Sequence, residues 1–534
     1  MNEQYNLMYE KVQLEKKKGN FYYPETIYSI LMYPQIDLNL IESISPKKNI
    51  EQLIYPENYT FYNFPLNIFT LDYDLLSLED ENSLQNLFLK NDHTSLLRLS
   101  EIITEMEFMF GKIKNFYYKG DKSKCLYDLI LRCENEENIN NINTINPKAI
   151  NLEILSCIMI DRNIDFITPF ASQFNYEGII DDFFNIDLNS INVDSSIIEN
   201  KENKNQIIFL DERDHLYYMI KDYNFNRIRQ FLPKRLKLHS AIFEMGKKVD
   251  NLKGISQSIK KIKQISNERS SLSNHIDIAE YISQSISHPL FKRRLNLEQL
   301  MLSAEFDIDE ILNFYDNEIS KKGNLYSILK LLIIQSQVNG GLKEKVFNKY
   351  KKDINLIYGF QSLILWNNLE KMKIIKKRDG NDFYKFLIKK LELIKKNVNV
   401  YEPNDSSYVF NGYCPITIRI IENVFNKGWF NIKEILNKMP GELFYPENEN
   451  EILKPKYERN VIMLVFVGGI TYSEIGCIRY LNKKFPNFQF VILTTFVINS
   501  NRLFNNLSLN ILPKDTYYTS EFKKNLNEQK SKHF

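Results

Sequence analysis

The chain has 534 residues, more than one hydrophobic core usually supports, so about two to four domains are expected. Hydrophobic residues make up 43% and charged residues 25%, which excludes global disorder. The 69 Lys and Arg nearly balance the 67 Asp and Glu, which excludes a bulk field steering the whole molecule toward nucleic acid or an anionic membrane.

From the N-terminus, the opening segment MNEQYNLMYEKVQLEKKKGN is charged throughout, and no apolar run reaches the ~18 residues a membrane span needs. The chain opens Met-Asn and ends KSKHF, without a lipidation motif, so membrane attachment is expected to come through partners. Asn-rich polar interruptions at 134–147, 189–206, 376–382 and 446–460 read as surface loops or linkers. After the first of them, the apolar run 154–160 (ILSCIMI) reads as a strand buried on both faces, the kind that parallel sheets use. It ends at Asp161, and Thr168 is expected to cap a helix whose first residue is Pro169.

From about 236 to 456 the apolar spacing becomes helical. Ile255, Ile259, Ile262 and Ile265 form one stripe and Leu272, Ile276, Ala279 and Ile282 another, so two helices separated by the polar SNERSS are expected to make a hairpin. The run 461–467 (VIMLVFV), Gly468-Gly469, a helix opened by Thr471 and Glu474 at capping-box spacing, and the strand 490–493 then predict a βαβ unit. The economical plan is one α/β domain completed by the C-terminal segment, with a helical domain inserted.

Catalytic chemistry finds little footing. Asp161, Asp165, Asp181 and Asp182 would bind Mg²⁺ if they converged at the carboxyl ends of parallel strands. The phosphate-cradling motifs that such an enzyme uses are missing, and Gly468-Gly469 is better explained by backbone conformation. The six histidines (His93, His215, His239, His275, His288, His533) lack metal-ligand spacing, and Cys414, followed by Pro415, has no basic neighbour in sequence. Cys125, Cys133, Cys157, Cys414 and Cys477 form no C-x-x-C pair, so reduced thiols and a cytosolic compartment are expected. Lys260, Lys261 and Lys263 lie on an Ile-striped helix without aromatics, a solvated face and not a nucleic-acid site.

Residues 160–183, IDRNIDFITPFASQFNYEGIIDDF, resemble the Asp-Arg-x-x-Asp-x-x-Thr-Pro-x-x-x-Gln-x-x-Tyr-Glu-Gly block of the Sec-1/Munc-18 (SM) family. Segments at 69–80, 92–103, 267–282, 331–346, 358–371, 408–420 and 465–481 are similar, in order, to its vacuolar protein-sorting branch. That resemblance implies an SM-type arch: a first α/β domain over 1–145, reduced because only about seventy residues precede LDYDLLSLE; a discontinuous parallel-sheet α/β domain over 146–235 and 457–534; and a mainly helical domain over 236–456. Within the last, 236–345 would bear the hairpin and 346–456 form the remainder.

The resemblance also implies a non-enzyme without cofactor or metal, cytoplasmic and peripherally associated through partners with endosomal, lysosomal, vacuolar or Golgi-derived membranes. SNARE proteins, singly or bundled, would lie along the hairpin, with Lys260, Lys263, Gln264, Glu268, Asn274 and Glu280 as contacts. A helical-solenoid subunit resembling vacuolar protein sorting 16, with other subunits of a HOPS/CORVET-like tethering complex, would dock on Lys351, Phe360 and Leu363. Relatives commonly carry Tyr where this chain has Phe360.

Overall fold

The computed structural model describes residues 28–32, 59–63, 67–139, 154–198, 205–246, 252–378, 380, 383–446 and 460–508. They divide into two compact units, Met1–Phe69 and Thr70–Phe534. In the first, strand β1 (Tyr28–Met32) pairs in parallel with β2 (Tyr59–Asn63). Strand β3 (Phe69–Asp72) begins at the boundary, and β4 (Leu75–Ser77) follows.

The second unit continues with α1 (Thr94–Phe110), β5 (Asn115–Lys119), α2 (Asp121–Ile139) and β6 (Ile154–Asp161). Next come α3 (Tyr176–Phe184), the antiparallel pair β7 (Ser190–Val193) and β8 (Gln206–Phe209), and α4 (His215–Ile220). Helices α5 (Phe225–Gly246), α6 (Leu252–Ser287), α7 (Pro289–Leu302), α8 (Ile308–Ser320) and α9 (Leu325–Val338) follow. The helical part closes with α10 (Glu344–Tyr358), α11 (Phe360–Lys371), α12 (Phe383–Leu391), α13 (Ile416–Lys427) and α14 (Trp429–Asn437). The chain then returns to the sheet through β9 (Leu443–Phe444), β10 (Asn460–Val467), α15 (Tyr472–Lys484), β11 (Phe488–Thr494) and α16 (Ser500–Leu507).

The main sheet has the order β3-β4-β11-β10-β6-β5-β9. Its central pairs β6–β10 and β10–β11 and the flanking β5–β6 and β4–β11 are parallel, and β9 runs antiparallel at the edge. Every residue of β6 is buried, as a strand covered by helices on both faces requires. The chain is thus mixed α/β and α, mostly helical, with a parallel-rich sheet closed by its last segment. Strands from both sides of residue 145 share that sheet.

Two local expectations are corrected. Thr168 caps no long helix: 168–170 is a single 3₁₀ turn, and the Asp165 carboxylate, three residues upstream, accepts from the amides of Ile167 (2.9 Å) and Thr168 (3.0 Å). The helix proper starts only at Tyr176. SNERSS does not separate two helices either, because α6 runs unbroken for 36 residues through it. Ser, Asn, Glu and Arg are polar without being helix breakers, and no Gly or Pro interrupts the stretch. The antiparallel partner of α6 is α5, which stays helical past Pro233. Leu272, Ala279 and Ile282 are buried as the stripe predicts, whereas the side chains of the 255–265 stripe lie outside the described residues.

Buried charge ties the sheet to its helices. Thr471 and Glu474 form the expected capping box at the start of α15. Glu474 also takes both oxygens to Arg162 Nη1 (2.9 and 2.8 Å) and accepts from the Thr417 hydroxyl on α13 (2.6 Å). Five residues beyond Glu474 on α15, Arg479 reaches Asp72 (2.6 Å), Asp74 (3.1 Å), Glu177 (2.8 Å) and Asp222 (3.1 Å), fastening the end of β3 and the turn into β4 to α3 and α15.

Glu474→Ala leaves the buried Arg162 charge with one carboxylate, Asp165 at 3.7 Å, beside its bonds to the carbonyls of Asp165 and Gly469, and is expected to cost about 3–5 kcal/mol in urea denaturation. Adding Arg162→Met should restore much of that loss; equal instability of the double variant would show that the pair itself is not the source.

Candidate protein-recognition surfaces

Helices α5 and α6 are locked by charge. Arg235 donates to both oxygens of Glu268 at 2.8 Å, and His239 Nε2 lies 3.4 Å from the same carboxylate. The Arg235 hydrogen bonds hold the Glu268 carboxyl below its usual range. At the root of α6 the fully buried His275 ring lies with Nε2 3.1 Å from Asp214 and Nδ1 2.9 Å from the Tyr176 hydroxyl, stacked 5.9 Å from Tyr217. Asp214 is the N-cap of α4, accepting from Tyr217 N (2.9 Å), and also accepts from Ser271 (2.7 Å). Burial pushes its carboxyl up, but His275, Ser271 and the Tyr217 amide outweigh that and bring it down to about 2.

The residues expected to touch SNAREs fare unequally. The side chains of Lys260, Lys263 and Gln264 lie outside the described residues, although their backbone belongs to α6. Glu268 is occupied by Arg235. Asn274 is half-buried, and Glu280 is exposed, accepting from Gln284 (3.2 Å). The sequence reading missed the outward face of α5, where Arg229, Lys234, Leu236, Lys237 and Leu238 are exposed. Basic and apolar residues alternate there in KRLKL, a pattern the search for Ile stripes passed over.

At the turn from α10 to α11, Gly359 adopts φ +90°, and a Cβ there would meet nothing, so backbone conformation alone demands the glycine. Flanking it, Leu356 is 69% and Phe360 70% exposed, and Leu363 is half-buried. Lys351 pairs with Glu370 at 2.8 Å. Leu356 was not foreseen, yet it falls out of the helical register of the buried Phe347, Tyr350 and Ile354, the signal by which it could have been found.

The four aspartates of the enzymatic alternative do not converge. Asp161 caps α2, accepting from Lys122 N (2.8 Å), Ser123 N (2.7 Å) and the Ser123 hydroxyl (2.6 Å), while burial raises its carboxyl to about 6. Asp165 serves its own turn and Ile416 N (3.0 Å); Asp181 binds Ile186 N (2.9 Å) and Asn499 (2.8 Å); Asp182 binds Gln173 (3.0 Å). Among the described residues no group of three or more His, Cys, Asp and Glu is placed to hold a metal ion. A Cβ on Gly469 (φ +110°) would lie 2.6 Å from Ile498, so that glycine serves conformation and packing.

The model of the Sec1 family matches residues 9–506. The chain belongs to the Sec1 family. The vacuolar protein sorting-associated protein 33A of Rattus norvegicus is 30% identical over 511 residues, covering 92% of this chain and 83% of the relative. Among solved structures, the Unc18–syntaxin 1 complex from Monosiga brevicollis superposes with a TM-score of 0.59 at 14% identity, covering 90% of this chain and 82% of that one. The SM protein Vps45 in complex with the Qa SNARE Tlg2 (1-310) superposes with a TM-score of 0.58 at 14% identity, covering 90% and 81%. As a Sec1 family member of the vacuolar sorting type, the chain is a transport protein and not an enzyme. Among the described residues no helix is long and apolar enough to cross a membrane.

Because the Asp214 carboxyl falls from 3.8 to about 2 on folding, its contribution is complete above about pH 4 and is lost as pH drops through 2. Asp214→Asn is expected to cost on the order of 1–2 kcal/mol at pH 7, after allowance for solvent screening, and progressively less toward pH ~2. Acid-titrated denaturation of both proteins checks this; a difference independent of pH would refute it.

Proposed function

We propose that the chain regulates vesicle docking and membrane fusion by binding SNARE proteins and templating their assembly, as a subunit of a HOPS/CORVET-like endolysosomal or vacuolar tethering complex. The observation that carries this reading is the Sec1 family match across residues 9–506 together with a vacuolar sorting relative 30% identical over 511 residues. Supporting it, the structural neighbours were captured with syntaxin 1 and Tlg2, and paired helices such as α5 and α6 can hold another helix against a preformed face. In the same reading, domain 1 spans 1–145, domain 2 spans 146–235 and 457–534, and domain 3 spans 236–456. Membrane association is peripheral and arises from the partners.

The α10–α11 corner supports a second contact. Two large apolar side chains about seventy per cent exposed, one on each side of the Gly359 turn, are the kind of anchor that a helical-solenoid subunit resembling vacuolar protein sorting 16 would bury. Phe360 and Leu356 are the anchors in this reading, with the half-buried Leu363 and the Lys351–Glu370 pair as further contacts.

Two measurements test the reading. Glu280→Lys combined with Asn274→Lys is expected to weaken binding of an endolysosomal SNARE bundle about three- to tenfold by calorimetry at near-physiological salt. No SNARE binding by the wild-type chain would overturn the assignment, and binding without faster SNARE-dependent liposome fusion would reduce the protein to a structural tether. Phe360→Asp, with Leu356→Asp as its companion, should each cost at least ~2 kcal/mol of affinity for the solenoid subunit while leaving the melting temperature nearly unchanged, since both side chains are exposed.

A further inference from the structure

A cavity of about 960 Å³ opens where the carboxyl end of the main sheet meets the inserted helices. On the sheet side it is lined by the segment from Asn163 to Ile167, just past β6, and by Asp121, which begins α2 after β5. On the helical side the chain leaving α9, α11 and α14 and the first turns of α12 complete it. Crevices outside the carboxyl ends of parallel strands are where α/β sheets hold ligands, and this volume is at the upper end of what a drug-sized ligand fills. Lys371, at its rim, ends α11 and so lies at the opposite end of that helix from Phe360. Neither surface of the proposed function uses it.

The cavity has an apolar wall and a basic charge. Ile164, Phe166 and Leu387 line it from the core, and the half-buried rings of Phe88 and Phe383 line it as well. Four lysines, Lys371, Lys373, Lys376 and Lys438, stand against two carboxylates, Asp121 and Asp165. Asp165 is spent on the amides of Ile167, Thr168 and Ile416 and the Thr168 hydroxyl, and Asp121 accepts from Glu442 N (3.1 Å). Lys438 is held by Glu434 at 2.9 Å. Lys371 and Lys373 are exposed, and neither ammonium has a carboxylate or hydrogen-bond partner among the described residues. The buried Oδ1 of Asn163 lacks a donor among them too.

We propose that this cavity is a docking site for an acidic segment of a partner protein that carries an aromatic or large aliphatic residue. Its carboxylates would meet Lys371 and Lys373, its apolar side chain would lie against Phe88 and Phe383, and a backbone N–H would supply the donor that Asn163 Oδ1 lacks. Two unpaired ammonium groups select an anionic occupant over a basic one. The apolar wall would leave a bare polyphosphate without contacts there, and an ionised phosphate has no proton to give Asn163. A concave cavity between sheet and helices does not meet the surface of a bilayer, so a peptide is the anion that fits all three features.

The test is selection of random dodecapeptides on the full chain, with the Lys371→Glu, Lys373→Glu double variant as counter-target. Enrichment of sequences rich in Asp and Glu around an aromatic or aliphatic residue is expected. A synthetic copy of an enriched peptide should bind the double variant roughly tenfold more weakly than the wild type, and should weaken by a similar factor when its apolar residue is replaced by Ser. Both lysines are exposed, so the double variant should melt with the wild type, and the peptide replacement leaves the protein untouched. Equal binding to the double variant, enrichment of basic peptides, or no enrichment overturns the proposal. So does lysine-dependent binding of inositol hexakisphosphate or of phosphatidylserine vesicles that is tighter than that of every enriched peptide, since the cavity would then belong to a polyphosphate or a lipid.

Discussion

The buried pair of Arg162 and Glu474 is the constraint around which the second unit is organised. Arg162 follows the last residue of β6, and Glu474 is the third residue of α15, more than three hundred positions later. A guanidinium at zero side-chain exposure is tolerable only when its charge is met at close range. The inserted helices must therefore return the chain so that β10 lies beside β6 and α15 starts over the end of the sheet. Glu474 does this while completing its own capping box and receiving the Thr417 hydroxyl, so one carboxylate joins strand end, helix start and inserted domain.

Arg479, along the same helix, repeats the principle with a different geometry. Asp72 and Asp74 come from the β3–β4 hairpin, Glu177 from α3 and Asp222 from the end of α4. Burial alone would raise the carboxyls of Asp72, Asp74 and Glu177; the charges of Arg479 and Lys221 hold Asp72 below its ordinary value, while Asp74 stays above its own. Acidic clusters at strand ends invite an enzymatic reading, but here their lone pairs are spent on amides, hydroxyls and guanidinium groups. Such a frame is bound up within the fold, and the exposed surfaces lie elsewhere.

Those surfaces follow from where the packing stops. In α10 the buried register Phe347, Tyr350, Ile354 leaves Leu356 outside, and Phe360, just past the turn at Gly359, is exposed as well. In β7–β8 the inner residues belong to the core and the outer ones have no layer above them among the described residues. Glu268 shows the reverse: a polar helical residue that looks available is bound within the molecule by Arg235 and His239.

Much of the fold was legible locally. Strands apolar on both faces can only be stable inside a covered parallel sheet, so 154–160, 461–467 and 490–493 announced β6, β10 and β11, and the Thr471–Glu474 spacing announced the cap of α15. The ordered motifs announced the family, and the first of them, 160–183, is a connector whose residue types are demanded by turns and caps. What the sequence could not say was which polar residues are spent. SNERSS looked like a break because polarity was taken for a turn, and only the α5–α6 packing shows it as the middle of one helix. Ion pairing and exposure are properties of residues brought together from distant positions, as with Arg235 and Glu268 or Arg162 and Glu474, and no periodicity within a segment encodes them. The sequence by itself determined the class, the connectors and the family; the tertiary structure decided which side chains remain free to meet a partner, because that depends on what packs against them.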